Sequence, residues 1–279
     1  MVRVIGFLVG LGFVFVLGFS LITGAINYVS NPPAETVEHE FHRHAHAPEG
    51  GFASDGPFGR FDRQQLQRGF QVFKEVCAAC HSLQYVAFRN LTDLGFTEPE
   101  VDAIADQWQI QVPTVDPETG EETTRNAVAA DRFPHVYPNE TAGRAANNNA
   151  YPPDLSLITK AREGGAAYTY SLLTGYQDPP EDLPEANRPG TGLYYNPYFA
   201  NLNLAMPPPL TADGQVTYAD GTEATIDQMA EDVTAFLIWT AEPKLEARKS
   251  TGWAVLIFLV FATVLAWLAY QNVWRDQKH

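Results

Sequence analysis

The chain has 279 residues, of which 45% are hydrophobic, and its formal net charge is −15. This charge excludes a nucleic-acid-binding protein, because phosphate recognition needs a basic surface, and it favours a basic protein partner. The two cysteines are too few for a disulfide-stapled scaffold or a four-cysteine metal site.

The first 30 residues are predicted to form a transmembrane anchor. Val4 to Ile26 is a run of 23 residues without a charged side chain, about the length that a helix needs to cross a hydrocarbon layer of roughly 30 Å. The alternative is a cleaved signal segment, although the apolar part of such segments normally covers only about 7 to 15 residues. The sequence leaves both cleavage and retention open.

Residues 31–60 are interpreted as a linker because they are rich in proline and glycine. The linker contains His39, His42, His44 and His46, and four histidines this close together could bind a metal. No arrangement of carboxylates or thiols fixes a coordination geometry, so a solvated tether is the favoured interpretation. We assign this cluster no function.

Helices dominate the prediction for the domain between residues 61 and 249. The first begins after Asp62, the second spans Thr97 to Gln109, the third lies around residues 160–175, and the fourth runs from Thr225 to about Trp239. Residues 112–153 and 178–209 are rich in Pro, Asn and Gly, without the sustained alternation that predicts a sheet. The expected fold class is therefore mainly α, with long loops that need an organising centre.

Residues 250–279 are predicted to hold a second transmembrane helix and a short tail. Gly252 to Tyr270 is uncharged, with Trp253 at one end and Trp267 near the other, as expected of aromatic side chains at membrane interfaces. Two spans place both termini on one side of the membrane. The region between them, residues 31–249, carries 15 basic and 32 acidic side chains, a net charge of −17, which we expect on the outer side.

Both cysteines fall in the segment Cys77-Ala78-Ala79-Cys80-His81, the C-x-x-C-H attachment pattern for c-type haem. Two thiols at this spacing can form thioethers to the two vinyl groups of one porphyrin, and the next residue, His81, then lies beneath the iron as an axial ligand. The competing interpretations are a thioredoxin-like redox pair and half of a zinc site. A zinc site would need two further ligands at a matching spacing.

The sixth iron ligand decides between electron transfer and ligand binding. Met206 precedes three prolines, which fix the backbone after it and suit a ligand on a rigid loop. Met229 lies in a predicted helix, where a core role is the default, and His135 is the alternative ligand. Ligation by Met and His raises the reduction potential above that of two histidines, as suits a late acceptor in an electron-transfer chain.

The chain resembles the cytochrome c1 family, the haem subunits of the ubiquinol–cytochrome c oxidoreductase (cytochrome bc1) complexes. The resemblance runs from about Arg68 to the C-terminus. It is carried by the segments 68–77, 144–156, 161–165, 170–176, 192–199 and 205–209, which occur in the family's order. It implies a cytochrome-c-like helical core with long loop insertions and a C-terminal membrane anchor.

The resemblance also implies the residues that hold one covalently bound haem c. His81 and Met206 are the implied axial ligands, and Cys77 and Cys80 are the implied thioether positions. Arg162 is placed near a haem propionate, where a guanidinium can pair with the carboxylate. The residues implied to line the pocket are Asn148, Pro153 and Tyr168.

The function that follows is electron transfer within a dimeric, membrane-embedded ubiquinol–cytochrome c reductase. The haem would take an electron from the Rieske iron–sulfur protein, beside cytochrome b, and pass it to a soluble or tethered cytochrome c, with no catalytic residue on this chain. The alternatives are a stand-alone anchored cytochrome c that donates to an oxidase and a five-coordinate haem sensor.

The early sequence lacks an Arg- and Ser-rich transit peptide, which favours the periplasmic face of a bacterial cytoplasmic membrane. The candidate carboxylates for docking the acceptor, which could instead form a solvated loop, are Asp178, Glu181, Asp182 and Glu185.

Overall fold

The chain divides into two compact units, residues 1–41 and 42–279, of which a computed structural model describes residues 2–32 and 35–276. The first unit consists of helix α1, Val2–Ser30, and the short helix α2, Val37–Phe41. α1 has no buried residue, and it is long and apolar enough to cross a membrane. It therefore fits the predicted N-terminal anchor.

The second unit is a mainly helical domain followed by one long helix. Its α-helices are α3 (Arg63–Val72), α4 (Glu98–Asp106), α5 (Glu140–Ala146), α6 (Ile158–Ala161), α7 (Gly165–Thr174), α8 (Ile226–Ala241) and α9 (Leu245–Trp274). A π-helical turn covers Phe73–Cys77, and 3-10 turns cover Phe88–Leu94 and Glu185–Asn187. The strands are β1 (Val112–Val115), β2 (Glu122–Arg125), β3 (Tyr194–Tyr195) and β4 (Asn203–Leu204). The mainly α fold class is confirmed.

Side-chain caps fix the starts of the first two predicted helices. The Asp62 carboxylate accepts from the Gln64 amide at 2.9 Å and so caps α3. The Thr97 amide donates to the Glu100 carboxylate at 2.7 Å, the reciprocal contact of a capping box, at the start of α4. Both starts lie where the sequence predicts them.

The other two predicted helices differ in how well the sequence anticipates them. α8 begins after Thr225, whose hydroxyl accepts from the Gln228 amide at 3.0 Å, and it extends two residues beyond the predicted end. The third predicted helix is broken into α6 and α7. The break falls at Gly164 and Gly165, which have positive φ angles of 79° and 55° and so leave the right-handed helical region.

Two small antiparallel sheets lie within the loops for which the sequence predicts none. β1 pairs with β2, with Val112 opposite Arg125, and β3 pairs with β4, with Tyr194 opposite Leu204. Strands of four and two residues are too short to produce an alternating pattern. The alternation of apolar and polar residues therefore cannot predict their pairing.

The centre of the core is the packing of α3 against α8. A Cβ atom on Gly69 would lie 2.0 Å from the Asp232 carbonyl oxygen, so only glycine allows the two backbones to approach this closely. The Phe236 ring of α8 lies 5.7 Å from both the Phe70 and the Phe73 rings. This packing fixes the chain immediately before the C-x-x-C-H segment.

Helix α9 starts in the domain and leaves it. Leu245 is buried, whereas the large apolar side chains from Trp253 onward are exposed, and the helix is long and apolar enough to cross a membrane. It begins seven residues before the predicted run at Gly252, because its first turns pack on the domain. It fits the predicted C-terminal anchor, while the domain boundaries at residues 30, 60 and 249 stay predictions.

A bidentate ion pair closes the loop after the first hairpin. The Arg125 guanidinium donates to both Asp131 carboxylate oxygens, at 2.6 and 2.9 Å, and the Val128 amide donates to the same carboxylate at 2.8 Å. The hydrogen bonds from Arg125 are the largest cause of a lowered pKa of Asp131. The ionised carboxylate therefore stabilises the folded chain.

We expect Asp131→Asn to lower the free energy of unfolding at pH 7, and this loss to shrink as the pH falls below about 3.9. A carboxylate whose folded pKa is depressed contributes stability above its unfolded pKa, and that stability disappears as the pH falls through the folded pKa. Urea unfolding at a series of pH values measures the difference. Asp102→Asn, at an exposed position of α4, is the control, and a loss independent of pH would contradict the expectation.

Candidate functional site

The C-x-x-C-H segment follows a local widening of the first helix of the domain. After the π-helical turn, the amides of Cys80 and His81 both donate to the Cys77 carbonyl, at 3.1 and 2.9 Å. Such π-helical turns are rare and occur frequently at functional sites. Cys77 is partly buried, Cys80 is exposed, and neither forms a disulfide. Burial, followed by the neighbouring Cys80, raises the pKa of the Cys77 thiol to about 12, so this thiol stays protonated at neutral pH.

The His81 ring has a defined tautomer. Its Nδ1 lies 2.7 Å from the Pro153 carbonyl oxygen, and since a carbonyl only accepts, Nδ1 carries the proton. Burial lowers the pKa of His81, and the Pro153 hydrogen bond and the Asp154 charge oppose it only in part. The ring is therefore neutral at pH 7, and its Nε2 has a lone pair that could bind a metal, as a haem iron ligand requires.

The Pro153 carbonyl is held in place by its neighbour Asp154. The Asp154 carboxylate accepts from the Ser82 hydroxyl at 2.9 Å, from the Gln84 amide at 2.8 Å and from the Ser156 amide at 3.0 Å. These bonds tie the segment that carries Pro153 to the residues that directly follow His81. The position of the carbonyl relative to the imidazole is thus set by a local network rather than by one hydrogen bond.

We expect Asp154→Ala to lower the free energy of unfolding by about 2 kcal/mol, because it removes three hydrogen bonds to a charged acceptor at a partly exposed site. Thermal unfolding of the purified protein measures this as a Tm about 4 to 8 °C lower. Glu118→Ala, at the exposed turn between β1 and β2, is the matched loss of a carboxylate. Equal Tm values for the two variants would contradict a structural role for Asp154.

Met206 lies on the loop after β4 and is 125 positions after His81 in the sequence. Its side chain is partly buried, and its carbonyl oxygen accepts from the Tyr176 hydroxyl at 3.0 Å. Burial raises the pKa of Tyr176, and the neighbouring Tyr168 and Tyr194 add to the increase. A cluster of tyrosines therefore supports the loop that presents Met206.

Arg162 lies near Tyr168. It ends α6 with an exposed side chain, and its positive charge partly offsets the rise that burial causes in the pKa of Tyr168. A guanidinium beside a partly buried tyrosine is available for an anionic group such as a propionate. Arg162 thus lies near Tyr168, and Tyr168 lies near Tyr176, whose hydroxyl donates to the Met206 carbonyl.

Asn148 connects two loops of the site. It adopts a left-handed conformation with φ 49°, and its side-chain amide donates to the Gly192 carbonyl at 3.2 Å. A Cβ atom on Gly192 would lie 2.5 Å from that amide nitrogen, so the contact needs glycine. The neighbouring Asn147 donates to the Tyr137 hydroxyl at 2.9 Å. Burial raises the pKa of Tyr137, and the adjacent Cys80 thiol raises it further.

The other candidate ligands lie elsewhere. Met229 is fully buried in the core of α8, as its helical position predicts, and His135 is exposed. Within residues 2–32 and 35–276, no three His, Cys, Asp or Glu side chains converge on a position for a bare metal ion. Of the linker histidines, His46 contacts the domain: its amide donates to the Ser171 hydroxyl at 2.8 Å.

Sequence reasoning missed several residues that support the site. Asp154 bonds Ser82, the residue after His81, across 72 residues of sequence, and Tyr176 bonds Met206 across 30 residues. Tyr137 lies beside Cys80. A partial signal exists for Asp154, because an Asp side chain commonly bonds the backbone amide two residues further along the chain. Nothing in the sequence indicates the contact of Tyr176 with Met206.

Comparisons with known proteins agree with this architecture, a mainly α cytochrome-like domain with two terminal helices that fit membrane anchors. A model of the Cytochrome C1 family matches residues 52–277. The chain belongs to the cytochrome c1 family.

Three relatives illustrate the range of similarity. "Cytochrome c1" of Rhodospirillum rubrum is 47% identical over 236 residues, which cover 80% of this chain and 86% of the relative. "Cytochrome c1-2, heme protein, mitochondrial" of Solanum tuberosum is 42% identical over 245 residues, 88% of this chain and 90% of the relative. "Cytochrome b/c1" of Bradyrhizobium diazoefficiens is 45% identical over 242 residues, 79% of this chain but only 34% of that longer relative.

Proposed function

We propose that this protein is the haem-carrying electron-transfer subunit of a quinol–cytochrome c oxidoreductase. One observation carries the proposal: two unpaired thiols lie on a turn beside a neutral His81, and the bond from Nδ1 to Pro153 leaves the lone pair of Nε2 able to bind a metal. The name of the Solanum tuberosum relative, a heme protein, supports the same cofactor.

These residues would hold one haem c, with Cys77 and Cys80 as the attachment thiols and with His81 and Met206 as the iron ligands. The haem supplies a one-electron change between ferric and ferrous iron. An imidazole nitrogen and a thioether sulfur are the donor pair that gives a cytochrome c a high potential. Met206 is supported as the second ligand because it is partly exposed on a proline-fixed loop, whereas Met229 is enclosed in the core.

Other residues of the chain would orient the two iron ligands or neutralise a propionate. Pro153 holds the His81 ring in one orientation, and Tyr176 holds the Met206 loop. Arg162 would pair with a propionate and so lower the cost of burying that carboxylate. Asn148 and Tyr168 would line the pocket. None of them transforms a substrate, so the activity of the enzyme belongs to the assembled complex.

The proposed partners are cytochrome b, a Rieske iron–sulfur protein as donor and a cytochrome c as acceptor, in a dimeric complex. The Bradyrhizobium diazoefficiens relative supports the first, because its name joins b and c1 in one chain of which this protein matches about a third. The candidate docking carboxylates Asp178, Glu181, Asp182 and Glu185 are all exposed. A strongly acidic domain would speed the encounter with a basic acceptor without tight binding.

The proposed location is the bacterial cytoplasmic membrane, with the domain on its periplasmic side. Haem attachment to C-x-x-C-H takes place outside the cytoplasm, and the two terminal apolar helices would hold the domain against the membrane. In this orientation the net charge of −17 between the helices faces the compartment in which a soluble acceptor diffuses.

Purification of the full chain from gently solubilised membranes tests the proposal. We expect cytochrome b and a Rieske protein to copurify, the preparation to reduce cytochrome c with quinol, and one haem to remain on this chain after denaturation. A haem-bearing chain that purifies alone would favour the stand-alone cytochrome that donates to an oxidase. Loss of the haem on denaturation would overturn covalent attachment, and carbon monoxide binding to the reduced protein would indicate a sensor.

A further inference from the structure

The loop before α3 is fastened to the first turns of α9. The Lys249 ammonium donates to the carbonyl oxygens of Ser54 and Gly59, at 2.6 and 3.2 Å. The Glu246 carboxylate accepts from the Phe61 amide at 2.7 Å and from the Arg63 guanidinium at 3.1 Å. Residues 54–62, here called the collar loop, are therefore held at a fixed position along the axis of α9.

The tip of the collar loop carries an exposed aromatic ring. Phe58 is 75% exposed, and its ring stacks on that of Trp253 with a centroid distance of 5.1 Å and an angle of 6° between the planes. The Trp253 indole nitrogen lies 3.4 Å from the Pro57 carbonyl oxygen. A shallow depression of about 310 Å³ beside the rings is lined by Arg60 and Lys249 among others.

The sequence of α9 fixes where this pair lies relative to a membrane. Its last charged residues before the apolar run are Arg248 and Lys249, and no further charge follows until Arg275. Since a helix rises about 1.5 Å per residue, Trp253 lies about 6 Å beyond Lys249 along the axis. A tryptophan at this boundary belongs in the interfacial layer of the bilayer. Phe58 stacks on it and therefore lies at the same height.

We propose that the collar loop is a membrane-contact element, in which Phe58 lies in the phospholipid headgroup layer on the domain side of the bilayer. An exposed ring beside a tryptophan at this height suits lipid, because aromatic side chains favour the interface. Of the charged residues that line the depression, Lys249 is bonded to the loop and Glu246 to Phe61 and Arg63, which leaves Arg60 to pair with a lipid phosphate. The apolar contact is also continuous with the lipid-facing surface of α9. The loop would thereby fix the tilt of the domain relative to the membrane. This inference rests on the proposal that α9 spans the membrane.

Spin labels in the complete complex, reconstituted in phospholipid nanodiscs, test the contact. A nitroxide at Phe58→Cys is compared with one at Glu118→Cys, on an exposed turn of the domain, and one at Phe261→Cys, in the middle of α9. The measurement is the ratio of collision rates with oxygen and with a water-soluble nickel chelate. We expect this ratio to be several-fold higher at position 58 than at 118 and lower than at 261. The unmodified chain, treated with the same label, gives the background.

A second variant tests whether Lys249 holds the collar loop in this position. Adding Lys249→Met to Phe58→Cys removes the two bonds to the loop carbonyls, and we expect the collision ratio at position 58 to fall toward that at 118. A ratio at 58 equal to that at 118 in the single variant would overturn the proposal. So would low collision rates with both reagents, because they would mean that another protein subunit covers the loop. A water-exposed label at 261 would instead overturn the anchor on which the inference rests.

Discussion

Replacing Met206 by leucine lowers the reduction potential of the haem by on the order of 0.2 V if Met206 is the sixth ligand. A thioether is a neutral, soft donor that favours ferrous iron, and leucine has no atom that can replace it. Water or hydroxide in its place would favour the ferric state. A potentiometric titration of the purified complex measures the shift, and the absorption band that arises from the bond between methionine and ferric iron should disappear.

Met229→Leu is the matched control for this experiment. It makes the same chemical change in a side chain that is fully buried in α8, and volume-conserving exchanges of Met and Leu in a core are tolerated well. Its potential and spectrum should equal those of the unmodified protein. If Met206→Leu leaves both unchanged as well, Met206 is not the ligand, and His135→Gln becomes the decisive variant.

Tyr176 constrains the same loop through the backbone and not through the Met206 sulfur. Its hydroxyl holds the Met206 carbonyl, and three prolines follow in sequence. Two constraints on adjacent peptide units leave the loop little freedom. A weak bond between sulfur and iron benefits from such a loop, since the ligand then loses little conformational entropy on binding.

The sequence predicts the parts of this fold that depend on neighbours in the chain. The side chains of Asp62 and Thr225 accept from amides two or three residues away, and the Thr97 amide donates to the Glu100 side chain three residues on. Each of these helices begins where its cap predicts. The two terminal helices follow from uninterrupted apolar runs. The C-x-x-C-H pattern likewise lies within five residues, so it can be recognised without a structure.

What the sequence does not predict depends on contacts between distant segments. The π-helical turn before Cys77 has no local pattern, and the bond that sets the His81 tautomer joins residues 72 positions apart. The break between α6 and α7 could have been anticipated from Gly164 and Gly165, since two adjacent glycines interrupt a helix. The family resemblance supplied Pro153 as a pocket residue, but only the geometry indicates that its carbonyl is the relevant atom.

A buried ion pair between Arg68 and Asp232 joins α3 to α8. Asp232 is fully buried, and its carboxylate accepts from the Arg68 Nε and Nη2 atoms at 2.8 and 3.1 Å and from the Gln228 side chain at 2.9 Å. Arg68 also pairs with the more exposed Asp220 at 2.9 Å. Burial acts to lower the pKa of Arg68, but the hydrogen bonds to Asp232 and Asp220 raise it overall. The guanidinium therefore stays charged in a partly buried position.

We expect Asp232→Leu to lower the free energy of unfolding by about 4 kcal/mol, because it leaves the Arg68 charge without its buried partner. Thermal unfolding should show a Tm at least about 8 °C lower. Asp220→Leu, which removes only the exposed partner, is the control and should have a much smaller effect.

The double variant Arg68→Met with Asp232→Leu separates the charge from the packing. Two apolar side chains of similar volume leave no unpaired charge, and such replacements are often neutral or stabilising in other proteins. Most of the lost stability should therefore return. If the double variant is as unstable as Asp232→Leu alone, the loss comes from the changed packing between α3 and α8 at position 232 and not from the unpaired charge. Because α3 leads directly into Cys77, either result identifies what holds the C-x-x-C-H turn against the core.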